Sequence, residues 1–155
     1  AKLSAGKVLQ VVSTTKTDTF TTTSTSFTDI TGISVAITPS ATSSKILVFF
    51  NVFGGNNNHS YVRLVRNSTA ISVGDASGSR TLSSTGNFYE GNSGSMIHNN
   101  AVQFLDSPNS TSEITYKLQG MTIGETLPIN RSRDNANAAY AANTASSITV
   151  MEIAG

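Results

Sequence analysis

The chain has 155 residues, which is the length of one domain, and a formal net charge of +1. Its ten Lys and Arg residues are scattered, so no basic stripe points to nucleic acid. The absence of cysteine excludes disulfides and thiolate chemistry, and no apolar run is long enough to predict membrane insertion. Thr (21), Ser (23), Asn (14) and Gly (12) make up nearly half of the chain, and the short runs of Val, Ile and Thr favour strands and turns over disorder.

Short β-prone segments dominate the first half of the chain. Ile33, Val35 and Ile37 alternate with small residues, which indicates a strand with one buried face, and Pro39 ends that strand. The segment 45–53 (KILVFFNVF) is apolar on both faces and predicts a central strand covered on both sides. The other strands predicted in this half are 7–12, 20–27 (exposed or at an edge), 61–65 and 71–73.

The second half begins with a long Gly-, Ser- and Asn-rich stretch, 74–100, which predicts surface loops with one or two strands. Glu113 to Met121 has the clearest alternation of apolar and polar residues, and Ser147 to Ile153 is again apolar on both faces. Asn residues interrupt the Ala-rich stretch 136–142, so we expect a loop there rather than a helical turn. The remaining predicted strands are 101–105 and 127–130.

About eight to ten short strands at intervals of roughly 8–15 residues predict an all-β, antiparallel β-sandwich of the jelly-roll kind. Residues 13–155 form a single domain in this interpretation. Residues 1–12 are either an N-terminal attachment arm or the first strand. Because the N-terminus has no long apolar segment, we expect no secretory signal.

Two strands with apolar residues on both faces also suggest self-association. A lone sandwich needs one apolar face per strand, so the second face can meet a neighbouring subunit. The candidate interface residues are Phe49, Phe53, Met151 and Ile153. The alternative is that loops of the same chain cover these strands.

No catalytic, cofactor-binding or metal-binding residue can be assigned from the sequence. His59 and His98 lie in Asn-rich segments without metal-ligand spacing, and the nine carboxylates form no suggestive pair. We therefore expect a protein that is not an enzyme and has no cofactor.

The loops have the chemistry of recognition surfaces. Amides and hydroxyls bind sugar hydroxyl groups, and isolated aromatic rings pack on apolar patches. The alternative is that these are ordinary surface loops. The candidate residues are Asn56, Asn57, Asn58, His59 and Tyr61 in one loop, Phe88 and Tyr89 in another, and Arg131, Arg133 and Tyr140 in a third.

Several segments taken in order carry a resemblance that spans nearly the whole chain. They begin with GKVLQVV at 6–12 and end with ITVMEI at 148–153, and those between them are 27–32, 37–39, 44–48, 63–66, 74–75, 104–108, 115–118 and 129–132. In these segments the chain resembles modules of tail fibres and other virion structural proteins of marine bacteriophages. That resemblance implies a trimer with a jelly roll similar to C1q- and tumour-necrosis-factor-like domains, and it provides no catalytic motif.

The expected function is therefore that of a trimeric tail-fibre or receptor-binding module on the virion surface. Its partners would be two sister copies, other virion proteins and a host surface glycan or protein, with no nucleic acid and no membrane insertion. Long fibres carry stalks and attachment domains, which we do not expect here, so the alternatives are a short fibre tip and a capsid decoration protein that stabilises the particle. A glycan-degrading virion enzyme is the remote alternative.

Overall fold

The computed structural model describes residues 6–56, 58–86 and 94–155, and this part of the chain forms eleven strands and no helix. No helix able to cross a membrane occurs among these residues. The strands are β1 (Val8–Lys16), β2 (Phe20–Thr22), β3 (Thr28–Ile37), β4 (Lys45–Gly54), β5 (His59–Arg66), β6 (Thr69–Ile71), β7 (Thr85–Gly86), β8 (His98–Asp106), β9 (Ile114–Ile123), β10 (Leu127–Ile129) and β11 (Ser146–Ile153).

The strands form two antiparallel sheets packed face to face, which confirms the predicted all-β sandwich. In the first sheet, β4 pairs with β8 on one side and with β11 on the other, and β1 pairs with β11. The short strand β10 pairs with the end of β4 at Gly54, and β2 pairs with β10. The second sheet has the order β3-β9-β5-β6, and β7 also pairs with β5.

The core lies between the sheets because alternate side chains of each strand point inward. In β4 the even-numbered residues from Ile46 to Val52 are buried, and the odd-numbered ones point outward. The second sheet contributes Val62, Leu64, Tyr116 and Leu118, each 0% exposed. In the described part of the chain, the two predicted strands with apolar residues on both faces are therefore buried on the inner face, and their outer side chains are partly or fully exposed.

A buried polar contact joins the sheets at one end. Asp106, at the end of β8, is 5% exposed and accepts hydrogen bonds from Arg66 Nη1 at 2.8 and 2.9 Å. Tyr116 Oη donates to the same carboxylate at 2.6 Å. Burial, together with the hydrogen bond to Asp106, raises the pKa of Tyr116 far above its usual value.

Several element boundaries differ from the prediction. The predicted strand 20–27 is only the three-residue β2, and β3 begins at Thr28 instead of Ile33. Gly32 has a positive φ of 85°, and the pairing of β3 with β9 shifts between Asp29 and Ser34, so the apolar alternation is visible only after this irregularity. Residues 8–12 belong to β1, which continues to Lys16, and residues 1–5 lie outside the described part of the chain.

The sandwich has two distinguishable ends. The base contains residues 6–8, 38–45, 106–113 and 153–155, where the Gly6 amide donates to the Ala154 carbonyl at 2.8 Å. The tip contains residues 54–60 (without 57), 94–98, 122–126 and 130–146. Because the strands run between these ends, the first and last residues described lie opposite the loops of the tip.

Candidate functional site

Six of the predicted recognition residues lie at the tip, although not all of them face solvent. Asn56 is 0% exposed, which corrects its assignment as a surface recognition residue. Its amide Nδ2 donates to Ser60 Oγ and, at 3.0 Å, to Thr122 Oγ1, and its Oδ1 accepts the Asn58 amide. A buried amide needs hydrogen-bond partners from the protein, because water cannot reach it. The bonds of Asn56 therefore hold the β4–β5 turn against Thr122 of β9.

The neighbouring candidates in this turn have different positions. Asn58 is half-buried and its Oδ1 accepts the His59 amide at 2.7 Å, whereas His59 is exposed and pairs with Ile123. Tyr61 points out of the second sheet, and its ring lies so close to Gly86 that a Cβ there would be 2.6 Å from Tyr61 Cδ1. Tyr61 is thus packed on its own sheet, and His59 is the most accessible of the three.

The third candidate loop, between β10 and β11, encloses a small polar hollow of about 110 Å³. Arg131 lines this hollow and donates to the backbone carbonyls of Ser132 and Arg133 at 2.8 and 3.4 Å, which stiffens the loop. Arg133 lies next to Gly94, and Tyr140 is 69% exposed at the outer part of the loop. Tyr140 therefore presents the most accessible aromatic ring of this loop.

Three predicted recognition residues, Asn57, Phe88 and Tyr89, lie outside the described residues. Before Phe88 and Tyr89 the described chain ends at Gly86, and after them it begins again at Gly94. The Gly94 carbonyl accepts the Asp134 amide at 2.9 Å, so Gly94 lies at the tip beside the β10–β11 loop.

Asn130 organises the tip, and the sequence reasoning did not identify it. It is 0% exposed with a positive φ of 65°, and its Nδ2 donates to the carbonyls of Lys16 and Asp18 at 2.9 Å each. Its Oδ1 accepts Ser146 Oγ at 2.6 Å. The available signal was an Asn directly after a short apolar strand, since Asn tolerates the left-handed region better than most residues.

The four predicted interface residues lie on one surface, which we call the uncharged face. It consists of the outward side chains of β8, β4, β11 and β1, and its members are Asn99, Ala101, Gln103, Leu105, Leu47, Phe49, Asn51, Phe53, Ser147, Thr149, Met151, Ile153, Val11, Ser13 and Thr15. One row across the four strands is wholly apolar: Val11, Met151, Leu47 and Leu105 are cross-strand neighbours. Val11 is 54% exposed, Leu105 50% and Phe49 37%. Among the described residues a charge occurs only at its base edge, at Lys45.

The outer face of the second sheet has the opposite character. Asp29 accepts Lys117 Nζ and Gln119 Nε2 at 2.7 Å each, and Gln119 Oε1 accepts Arg63 Nε at 2.9 Å. The Arg63 guanidinium also lies 4.1 Å from the centre of the Phe27 ring. The hydrogen bonds from Lys117 and Gln119 lower the pKa of Asp29. Charged groups that bond to each other beside water are typical of a solvated surface.

Among residues 6–56, 58–86 and 94–155, no group of three His, Asp or Glu side chains is placed to hold a metal ion. The buried carboxylates, Asp106 and Glu152, are held by hydrogen bonds within the fold. No protein-family model matches the chain, and no curated protein matches it.

Proposed function

We propose that this chain is a non-enzymatic structural and binding module of a bacteriophage virion, which assembles as a trimer and contacts the host surface with its tip. The main support for the proposed assembly is the difference in chemistry between the outer faces of the two sheets. The uncharged face exposes an apolar row across four strands, and the second sheet exposes a network of charged groups. Interfaces are depleted of charge at their centre, so the uncharged face is the one suited to contact sister copies.

The strand order supports the jelly-roll part of this proposal. One sheet has the order β1-β11-β4-β8 and the other β3-β9-β5-β6. The strands of eight or more residues, taken in chain order as β1, β3, β4, β5, β8, β9 and β11, therefore alternate between the sheets. Such alternation is the pattern of two interlocked Greek keys. The virion assignment rests on the sequence resemblance to phage modules, which implies the trimer as well.

The tip supports the recognition part. If the uncharged faces of the three copies turn toward a threefold axis that is parallel to the strands, the three tips lie at the same end of the trimer. His59 and Tyr140 then face outward together, in loops rich in amides and hydroxyls, and this combination suits a polyhydroxylated ligand such as a surface glycan.

Sedimentation of the purified chain tests the assembly. The expected mass is that of three chains, and Met151→Glu should reduce it to that of one because a charge on the uncharged face would be buried without a partner. Ser34→Glu places the same charge on the outer face of the second sheet beside Lys117, so it should remain a trimer. A wild-type chain that stays monomeric at high concentration contradicts the proposal.

A glycan array and binding to host cells test recognition. Tyr140→Ala should weaken binding at least tenfold without changing the sedimenting mass, and Ser34→Ala, on the outer face of the second sheet and away from the tip, is the control. Absence of any ligand, with the subunit located on the capsid of the particle, would favour a decoration protein instead. Turnover of a host polysaccharide that a single Asp or Glu substitution abolishes would overturn the non-enzymatic assignment.

A further inference from the structure

The polar hollow of about 110 Å³ in the β10–β11 loop is open because much of its wall consists of short side chains. Four of its lining residues are alanines, namely Ala136, Ala138, Ala141 and Ala142. The surface of the hollow is nevertheless mostly polar, so backbone amides and carbonyls form much of it rather than methyl groups. Such a lining suits a polar group of a ligand better than an aliphatic one.

Hydrogen bonds within the loop hold the shape of the hollow. Arg131 pairs with Asn143 across the loop, and its Nη1 donates to the Ser132 carbonyl at 2.8 Å. The Ala141 amide donates to the Ala138 carbonyl at 3.0 Å. A site that is already shaped in this way loses less conformational entropy when a ligand binds.

Arg131 has unused hydrogen-bonding capacity at this hollow. Its Nη1 is engaged with two backbone carbonyls, whereas Nε and Nη2 have no partner among the described residues. These two nitrogens form one edge of the guanidinium, and that edge can donate two parallel hydrogen bonds to the two oxygens of a carboxylate. Arg131 is also half-buried and forms no ion pair with a carboxylate in the described part of the chain, which favours an anionic ligand.

The charge of the loop is consistent with a ligand that carries one negative charge. Residues 130–146 contain Arg131, Arg133 and Asp134 as their charged residues, so two positive charges and one negative charge give a net charge of +1. The Asp134 carboxylate accepts the Ser132 hydroxyl at 2.6 Å. A single carboxylate would therefore balance the surplus charge of the loop.

Three asparagines supply donors and acceptors for hydroxyl groups beside that cation. Asn135, Asn137 and Asn143 line the hollow and are exposed, and their side-chain amides form no hydrogen bond with residues that the structure describes. Each amide can donate and accept at once, as a sugar hydroxyl does. The hollow has the volume of three to four water molecules at about 30 Å³ each, so it can hold one substituent of a sugar but not the whole ring.

We propose that the hollow binds the carboxylate of a uronic acid residue in a surface glycan, with Arg131 as its ion-pair partner. This inference rests on the recognition proposed for the tip and names the class of glycan. Tyr140, which precedes Ala141 in the chain and is 69% exposed, offers its aromatic ring to the sugar ring that remains outside the hollow.

Nuclear magnetic resonance titration of the isotope-labelled chain with D-glucuronate tests the site. Glucuronate should shift the amide signals of residues 131–143 with a dissociation constant on the order of 1 mM, because one ion pair and a few hydrogen bonds contribute. D-glucuronamide, in which a neutral amide replaces the carboxylate, should bind at least tenfold more weakly. Acetate that binds as tightly as glucuronate would show a site for any carboxylate and would overturn the assignment to a sugar.

Variants of the loop test the hollow itself. Ala141→Leu fills it without removing Arg131 and should weaken glucuronate binding at least tenfold. Ala139→Leu is the matched control, because Ala139 is exposed in the same loop and does not line the hollow, and it should bind as the wild type does. Arg131→Lys keeps the charge but lacks the fork of donors, so it should weaken binding at least threefold.

Both leucine variants should keep the sedimenting mass and melting temperature of the wild type, and equal glucuronate binding by the two would overturn the site. If neutral glycans bind the tip and Tyr140→Ala weakens that binding, but glucuronate does not bind, this inference alone fails. If neither glucuronate nor any glycan on the array binds, the recognition proposed for the tip fails as well.

Discussion

At the scale of single residues, two buried carboxylates occupy the same inward row at the base of the sandwich. Asp106 pairs across β8 and β4 with Ile46, and Ile46 pairs with Glu152 of β11. Asp106 is bonded by Arg66 and Tyr116, and Glu152 by Ser40 and Gln10. Such groups are tolerated in a core only when hydrogen bonds replace the water that they lose.

Tyr116→Phe should destabilise the fold by about 1–2 kcal/mol, because Asp106 loses the hydrogen bond from the phenol while Arg66 remains. Asp106→Ala should have a larger effect, of about 2–4 kcal/mol, since it leaves the buried phenol of Tyr116 and the Arg66 guanidinium without their shared partner. Urea denaturation of both variants measures the difference. Equal stabilities for the two variants would contradict the role assigned to Asp106.

Glu152 should make stability depend on pH in the acid range. It is 1% exposed, and although burial raises its pKa, the bonds from Ser40 and Gln10 outweigh burial and lower the pKa to about 2 from an ordinary value near 4.5. A depressed native pKa contributes stability that is complete above about pH 4.5 and is lost as the pH falls toward 2. Denaturation curves between these values should show this loss for the wild type.

Glu152→Gln provides the comparison for that pH profile. The variant should be less stable at neutral pH, by about 1–3 kcal/mol, because hydrogen bonds to a charged acceptor are replaced by weaker ones. It should also lose less stability between pH 4.5 and 2 than the wild type, since it has no carboxyl group at this position to protonate. Parallel profiles for the two proteins would show that other carboxylates control acid unfolding.

At the scale of elements, the hydrophobic pattern identified most of the strands. Alternation with period two located β9, and runs that are apolar on both faces located β4 and β11, each to within a few residues, because most inward positions of these strands hold Ile, Val, Leu, Phe or Tyr. The pattern missed the beginning of β3, where Gly32 interrupts the register, and it made the strand at 20–27 too long, where Thr and Ser fill most positions. Thr is compatible with both an exposed strand and a loop, so pattern alone could not place the boundary.

Asn130 links the end of β1 to the beginning of β11 through its bonds to Lys16 and Ser146, so substituting it tests how the tip is held together. Asn130→Ala should cost about 2–4 kcal/mol, because two backbone carbonyls lose their donor and the positive φ of 65° becomes strained. Asn130→Gly removes the same hydrogen bonds and accepts this φ, so it should be about 1 kcal/mol more stable than the Ala variant. Urea denaturation measures both, and hydrogen exchange should increase in residues 131–145.

At the scale of the whole molecule, the two sheets divide the surface into faces of different chemistry. The outer side of β3, β9 and β5 carries Asp29, Lys117 and Arg63, and the outer side of β8, β4, β11 and β1 carries no charge between Leu47 and Phe53 or between Ser147 and Ile153. This asymmetry is a property of the assembled sheets, because each strand alone contributes only three to five side chains to a face.

Self-association through the uncharged face should depend little on salt. Screening acts on charges, and the proposed contact contains none, so the association constant should change less than about twofold between roughly 0.1 M and 0.5 M sodium chloride. Sedimentation equilibrium at both salt concentrations measures it. A fall of tenfold or more at high salt would instead indicate a contact through the Asp29, Lys117 and Arg63 face.

The sequence by itself determined the class of fold, since period-two burial with frequent turn residues is compatible only with stacked sheets. It also identified Phe49, Phe53, Met151 and Ile153 as outward apolar positions. Alternate residues of a strand lie on opposite faces, so once one set is assigned to the core, the other set must point outward. Only the tertiary structure decided which strands lie side by side, and therefore that these residues share one surface with Val11 and Leu105. It alone placed Asn56 inside its turn and Asn130 at the centre of the tip, because hydrogen bonds between distant segments leave no periodic signal in the sequence.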